Sequence, residues 1–162
     1  MKIIHSDQSI PDDLGPSIFL AGPTPRLEKP VPSWRPDALK VLLDKGFDGT
    51  VLIPEYSAFS PLRDYDAQVE WEWKGLHNAS VIAFWVPRNL DTLPGFTTNY
   101  EFGFYINKRP IVYGRPEGSA KNRYGDWLYG KVLGKQPCLT LEDTMLAAMK
   151  LCRSGEPSCG NG

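Results

Sequence analysis

Apolar residues fall into short unbroken runs and into stretches of helical periodicity, and the two patterns alternate along the chain. Ser17-Ile18-Phe19-Leu20-Ala21 predicts a strand, ended by Gly22-Pro23. A loop with prolines at 23, 25, 30 and 32 follows. Ser33 is placed to cap a helix over 34–45, with Pro36 in its first turn and Gly46 as its stop. Ala38, Val41, Leu42 and Lys45 set the period of that helix. Thr50-Val51-Leu52-Ile53 predicts a second strand, stopped by Pro54. In a helix over 66–78, Val69, Trp73 and Leu76 are spaced i, i+4, i+7 and are assigned to the core face. Val81 to Val86 is apolar on both faces, as a central parallel strand requires. A helix over 98–107, a strand over 110–113, a helix over 122–133 and a short fifth strand at Cys138-Leu139 complete the alternation. Thr140 then caps a last helix that carries Met145, Ala148 and Met149 inward.

Strands alternating with helices predict one α/β domain: a doubly wound, five-stranded parallel sheet with helices on both faces. The domain is expected to span 1–152, with 153–162 a flexible tail. In such a fold, ligands bind beyond the carboxyl ends of the strands. The loops 21–34, 54–65 and 87–100 converge there, and long loops over a rigid sheet usually carry function.

Composition narrows the function classes. The 162 residues suffice for one full core, and a net charge of -1 leaves no basic footprint for nucleic acid and no field for a membrane surface. The apolar runs are too short to span a bilayer. Met1-Lys2-Ile3-Ile4 is followed at once by polar residues, unlike a signal peptide. The cysteines at 138, 152 and 159 are odd in number and contain no C-x-x-C pair. Together these features lead to the expectation of a cytoplasmic protein. The five tryptophans leave aromatic surface that serves either the core or the stacking of a planar ligand.

No G-x-G-x-x-G follows the first strand, and no P-loop or G-x-S-x-G elbow is present. His5 and His77 have no ligand partners at useful spacing, and His77 is assigned to the solvent side of its helix. No metal and no cofactor is therefore expected, and carboxylates remain. Glu101 lies in the segment from Leu93 to Gly103, just past the central strand. Thr98-Asn99-Tyr100-Glu101 matches a capping box, a purely structural use. The same position, in the positive end of the helix dipole, would keep Glu101 ionised as a nucleophile toward an oxocarbenium-like carbon. Glu72 lies on the flank of the helix before that strand, either as an exposed charge or as a second carboxylate reaching the same cleft. Two such groups are what glycosyl transfer uses, one attacking and one managing the proton of the departing base.

The set Ile18-Phe19-Leu20-Ala21-Gly22-Pro23, the helix ending at Ala79-Ser80, the strand Val81–Val86 and then Asn99-Tyr100-Glu101-Phe102-Gly103 resembles the nucleoside 2-deoxyribosyltransferase family. The resemblance runs from about residue 17 to about 150 and implies a flavodoxin-like fold. It also implies base exchange on 2′-deoxynucleosides through a covalent deoxyribosyl-enzyme intermediate. The family's nucleophile falls on Glu101, and its catalytic Asp falls on Glu72, one methylene longer. Its glycine-rich turn implicates Phe19, Ala21, Gly22 and Pro23 in sugar and base binding. A base-reading Asp is placed on Asp91, with Asn99 its rival, and an Asn lent across subunits is placed on Asn122. Trp34 and Arg35 are further cleft candidates, the first equally suited to the core and the second to the surface. The implied partners are 2′-deoxynucleosides, free nucleobases and further copies of the chain, in a homo-oligomer whose sites are completed across the interface. Two alternatives stay open. One is an N-glycoside hydrolase of nucleosides or 5′-monophosphates, with Arg88, Arg115, Thr97 and Thr98 available to a phosphate. The other is a non-catalytic nucleotide-binding module.

Overall fold

Side chains that alternate along the central strands feed two separate cores, one on each face of a single sheet. A computed structural model of the chain describes residues 1–25, 28–57 and 64–154. Its elements are β1 (Lys2–His5), β2 (Ser17–Ala21), α1 (Arg35–Asp44), β3 (Thr50–Ile53), α2 (Tyr65–Asn78), β4 (Val81–Trp85), α3 (Phe96–Tyr105), β5 (Ile111–Gly114), α4 (Arg123–Leu133) and α5 (Leu141–Ser154). All strand pairs are parallel, in the order β1-β3-β2-β4-β5. Ile18, Leu20, Val51, Ile53, Val81 and Ala83 pack with residues of α1 and α5. Phe19, Leu52, Ile82 and Phe84 pack with residues of α2, α3 and α4. This is the doubly wound, flavodoxin-like sheet that the alternation predicts.

The chain passes from β2 outward to β3, then back across β2 to β4. That reversal opens a crevice at the carboxyl ends of β2 and β4, where the loops after the two strands diverge.

Three local expectations are corrected. The fifth strand is Lys2–His5, paired with β3, and not Cys138-Leu139. Its apolar pair Ile3-Ile4 is too short to stand out, because only one face of this edge strand is covered. Cys138 makes a single bridge to Gly114, accepting from Arg115 and donating to Tyr113.

On α2 the core face is Trp71, Gly75 and Leu76, while Val69 and Trp73 are 44% and 51% exposed. Gly75 sets this rotation. A Cβ there would sit 2.7 Å from the Phe19 ring, so the helix closes onto β2 through a residue with no apolar signal of its own.

Helix α3 begins at Phe96, two residues earlier than expected, with Gly95 as N-cap in the left-handed region (φ 59°, ψ 49°). Glu101 is therefore in the second turn, and the capping box does not form.

Arg153 and Ser154 continue α5, and the rest of the expected tail lies outside the described residues. The Thr140 cap does form: its Oγ1 accepts from the Asp143 amide at 3.0 Å. Among the described residues no helix is long and apolar enough to cross a membrane.

Candidate active site

The crevice is a cleft of about 440 Å³, built from the three long loops and one flank of α2. Phe19 and Ala21 reach it from the end of β2, and Gly22, Pro23 and Thr24 continue that wall. Pro94 to Thr98 form the opposite wall, with Gln68, Val69 and Glu72 facing in from α2 and Glu101 from α3. Pro54 and Tyr65 represent the third loop, whose residues 58–63 lie outside the described residues.

The tight fit of the first wall depends on Gly22. At its φ of +148° a Cβ would lie 2.1 Å from the Trp85 carbonyl oxygen and 2.9 Å from the Trp34 ring. Only glycine lets the turn lie flat against the end of β4. Gly95 does the same across the cleft, where a Cβ would meet Pro23 at 2.7 Å.

Glu72 and Glu101 share the cleft, and each is only partly open to solvent. Among the described residues, no N–H or O–H of the chain donates to the Glu101 carboxylate. Burial pushes Glu101 up to about 7, the Glu72 charge pushes the same way, and Arg35 pulls against both. Burial likewise raises Glu72, opposed by a hydrogen bond from Gln68 and by Arg35. Gln68 Nε2 holds Glu72 Oε1 at 2.9 Å and the Pro54 carbonyl at 3.4 Å. The expectation of a dipole-stabilised, fully ionised Glu101 is thus corrected. Its place in the second turn removes most of the dipole's pull, which fades after the first turn, and desolvation dominates. The two carboxyls are coupled: a charge on Glu72 raises Glu101.

Under the cleft wall lies Arg35, which sequence reading left between cleft and surface. It is 1% exposed. Trp34 is buried beside it, as the core reading had it, and its Nε1 donates to the Pro23 carbonyl at 3.0 Å. Glu55, given no role from sequence, pairs with Arg35 at 2.5 Å.

Phe19, Ala21, Gly22, Pro23, Glu72 and Glu101 are therefore brought together. The other three candidates are not. Asp91 is exposed and ion-paired with Lys29 at 2.7 Å. Asn99 is exposed, and its Oδ1 accepts from Arg88 at 2.5 Å on another side of α3. Asn122 is 5% exposed and donates to Ser119 Oγ at 2.7 Å, with the Val86 carbonyl at 3.4 Å. Both asparagines border a separate void of about 20 Å³. Arg88 and Arg115 are also engaged elsewhere, the latter doubly with Asp126.

Sequence reading missed Gln68 as a site residue, although it lies one helical turn before Glu72 and so shares its face. It also missed the second opening beside the carboxylates, lined by Trp73, Tyr100, Phe104 and Tyr105 between α2 and α3. His77, expected to face solvent, is half-buried there, with its Nδ1 2.8 Å from the Tyr105 hydroxyl.

A family model described as nucleoside 2-deoxyribosyltransferase-like matches residues 15–118. That span runs from before β2 to beyond β5 and contains every described residue that lines the cleft. Comparison with curated proteins returns no match. More than half of the chain fits the family model, and with it the whole cleft; the chain belongs to the nucleoside 2-deoxyribosyltransferase-like family.

Proposed function

We propose that the protein transfers a 2-deoxyribosyl group between nucleobases, through a covalent intermediate on Glu101. The observation that carries this reading is the pairing of two partly desolvated carboxyls in one cleft, one held by Gln68 and the other without a donor among the described residues. In its ionised form Glu101 attacks C1′ of a bound 2′-deoxynucleoside. The C1′–N bond breaks, an ester forms, and Glu72 supplies a proton to the departing base. The acceptor base then attacks C1′ from the face the first base left, and Glu72 takes its proton back. Glu101 is released as a carboxylate, and two inversions retain the configuration. The coupling of the pair suits these roles, since one group must be basic while the other is acidic.

Incubation with deoxyinosine and free adenine tests the reading. Deoxyadenosine should appear, and Glu101→Ala should abolish it while the far-ultraviolet circular dichroism stays unchanged. Undiminished exchange in that variant would refute the mechanism.

One observation favours hydrolysis of a 5′-monophosphate as a second reading. The α3 N-terminus has no side-chain cap, and Thr97 and Thr98 of its first turn line the cleft. The N–H groups at a helix start and the hydroxyls beside them suit an anionic 5′ group. Release of hypoxanthine without adenine, and faster from the monophosphate, would support it. The proposal also includes an oligomer. Trp73, Tyr100 and Phe104 are exposed together at the second opening, as surface covered by another copy would be.

A further inference from the structure

Arg35 is the largest fully buried side chain of the described residues, and it is a cation. Burying a charge is expensive unless its hydrogen bonds are filled. Here they are filled by consecutive parts of one cleft wall. Nε donates to the Leu20 carbonyl at 3.1 Å, and Nη2 to the Gly22 carbonyl at 2.9 Å. Nη1 donates to Thr24 Oγ1 at 3.2 Å and to Glu55 Oε1 at 2.5 Å. Ser33 Oγ donates to the same Glu55 oxygen at 2.9 Å. The Trp34 ring lies 4.7 Å from the guanidinium carbon. The planar fork spans acceptors that a lysine ammonium cannot reach at once.

We propose that Arg35 is the positioning residue of this cleft: it sets the Leu20–Thr24 turn that faces the sugar and, with Glu55, fixes the charge beneath Glu72 and Glu101. It touches neither the sugar nor the base. The inference rests on the reading of Glu101 and Glu72 as the reacting pair. The charges that bear on Glu101 are Glu72 from α2 and Arg35 from α1, and the Glu101 charge in turn helps to keep the Tyr105 hydroxyl, one turn along α3, neutral. Arg35 is the one cation of this set, and it lowers both carboxyls, against burial at each and against the larger push of Glu72 at Glu101. Glu55 offsets part of its charge.

Two roles give two separable signatures. Glu55→Gln removes the offset, so the midpoint of Glu101 should fall, by about half a pH unit or more. Arg35→Met removes the pull, so the midpoint should rise by a similar amount. Arg35→Lys keeps the charge and loses the fork. It should leave the midpoint near that of the wild type yet lower kcat about tenfold or more, as the turn loosens. Thr24→Val removes one bond of the fork and should lower kcat less.

The test is the titration of ¹³C-labelled glutamate carboxyls by NMR, read beside kcat and KM for base exchange. Glu55→Gln and Arg35→Lys keep the test decisive if Arg35→Met does not fold. Opposite midpoint shifts in Glu55→Gln and Arg35→Met support the proposal, as does a fall in kcat at an unchanged midpoint in Arg35→Lys. Shifts in the same direction would overturn it. An unmoved midpoint in Glu55→Gln, or full kcat in Arg35→Lys, would also overturn it. The NMR reading needs no turnover. Absence of exchange by the wild type would therefore refute the proposed function while the midpoint shifts still decide the role of Arg35.

Discussion

Replacing Glu101 with Gln should destroy activity and make the protein more stable, and only at higher pH. A carboxyl held at about 7 in the folded state is protonated there while its unfolded counterpart, with an ordinary value near 4.5, is already ionised. Between those two values the folded chain binds the extra proton, so wild-type stability falls as pH rises. Each tenfold change in the ionisation constant is worth about 1.4 kcal/mol, so the full penalty is about 3 kcal/mol and is complete above pH 7. A glutamine carries no such penalty, though its amide gains no ready partner in the cleft, which trims the expected gain to about 2 kcal/mol. For a domain of this size, that is a rise in Tm of about 4–8 °C. Urea unfolding of Glu101→Gln and wild type at pH 4.5 and pH 8.5 reads it directly. At the lower pH the variant should be less stable by about 1 kcal/mol at most, and at the higher it should be the more stable protein by about 2 kcal/mol. Equal separation at both, or a less stable variant at pH 8.5, would refute the electrostatic reasoning.

Other consequences are smaller in scope. Base exchange should rise with pH along an acid limb with a midpoint near 7, since Glu101 must be ionised to attack. In Glu72→Gln the residual activity should show that limb at lower pH, because the Glu72 charge raises Glu101; a limb moving upward would contradict the coupling. Gly22→Ala places a Cβ against the Trp85 carbonyl in a backbone region closed to side chains, and should cost about 2 kcal/mol or more by denaturant melt together with most activity. Gln68→Leu should leave Glu72 without its donor, raising its protonation midpoint and lowering kcat more than KM changes.

The sheet was legible because β2, β3 and β4 are buried on both faces and read as continuous apolar runs. Edge strand β1 was not, since half its side chains face solvent and Ile3-Ile4 alone carries no period. The start of α5 was legible from its Thr140 cap; Ser33, read as the cap of α1, is not one, since the N-cap is Trp34 with no side-chain bond, and the start of α3 was hidden because a backbone conformation makes it, at Gly95. The same limit hid the rotation of α2, which Gly75 sets by what it lacks. In the cleft, the two carboxylates were candidates from their spacing around the central strand, and Phe19, Ala21, Gly22 and Pro23 from the family resemblance; all six line one cleft. Asp91, Asn99 and Asn122 lie outside it: Asp91 is drawn to Lys29 of the first long loop, Asn99 turns its Oδ1 to Arg88 on another side of α3, and Asn122 is held by the nearby Ser119. Arg35 was ambiguous for a related reason. An arginine in a helix's first turn is ordinarily solvated, and only the carbonyls of a loop more than ten residues earlier make it a buried one.

The central claim is that Glu101 carries the sugar. Wild-type protein given a 2′-deoxynucleoside, with no acceptor base, should be acid-quenched, digested and weighed by mass spectrometry. The account predicts one deoxyribosyl group on the peptide containing Glu101, lost on adding free adenine as deoxyadenosine forms. Base exchange proceeding at full rate with that peptide never modified, or with the sugar on a different residue, would contradict it.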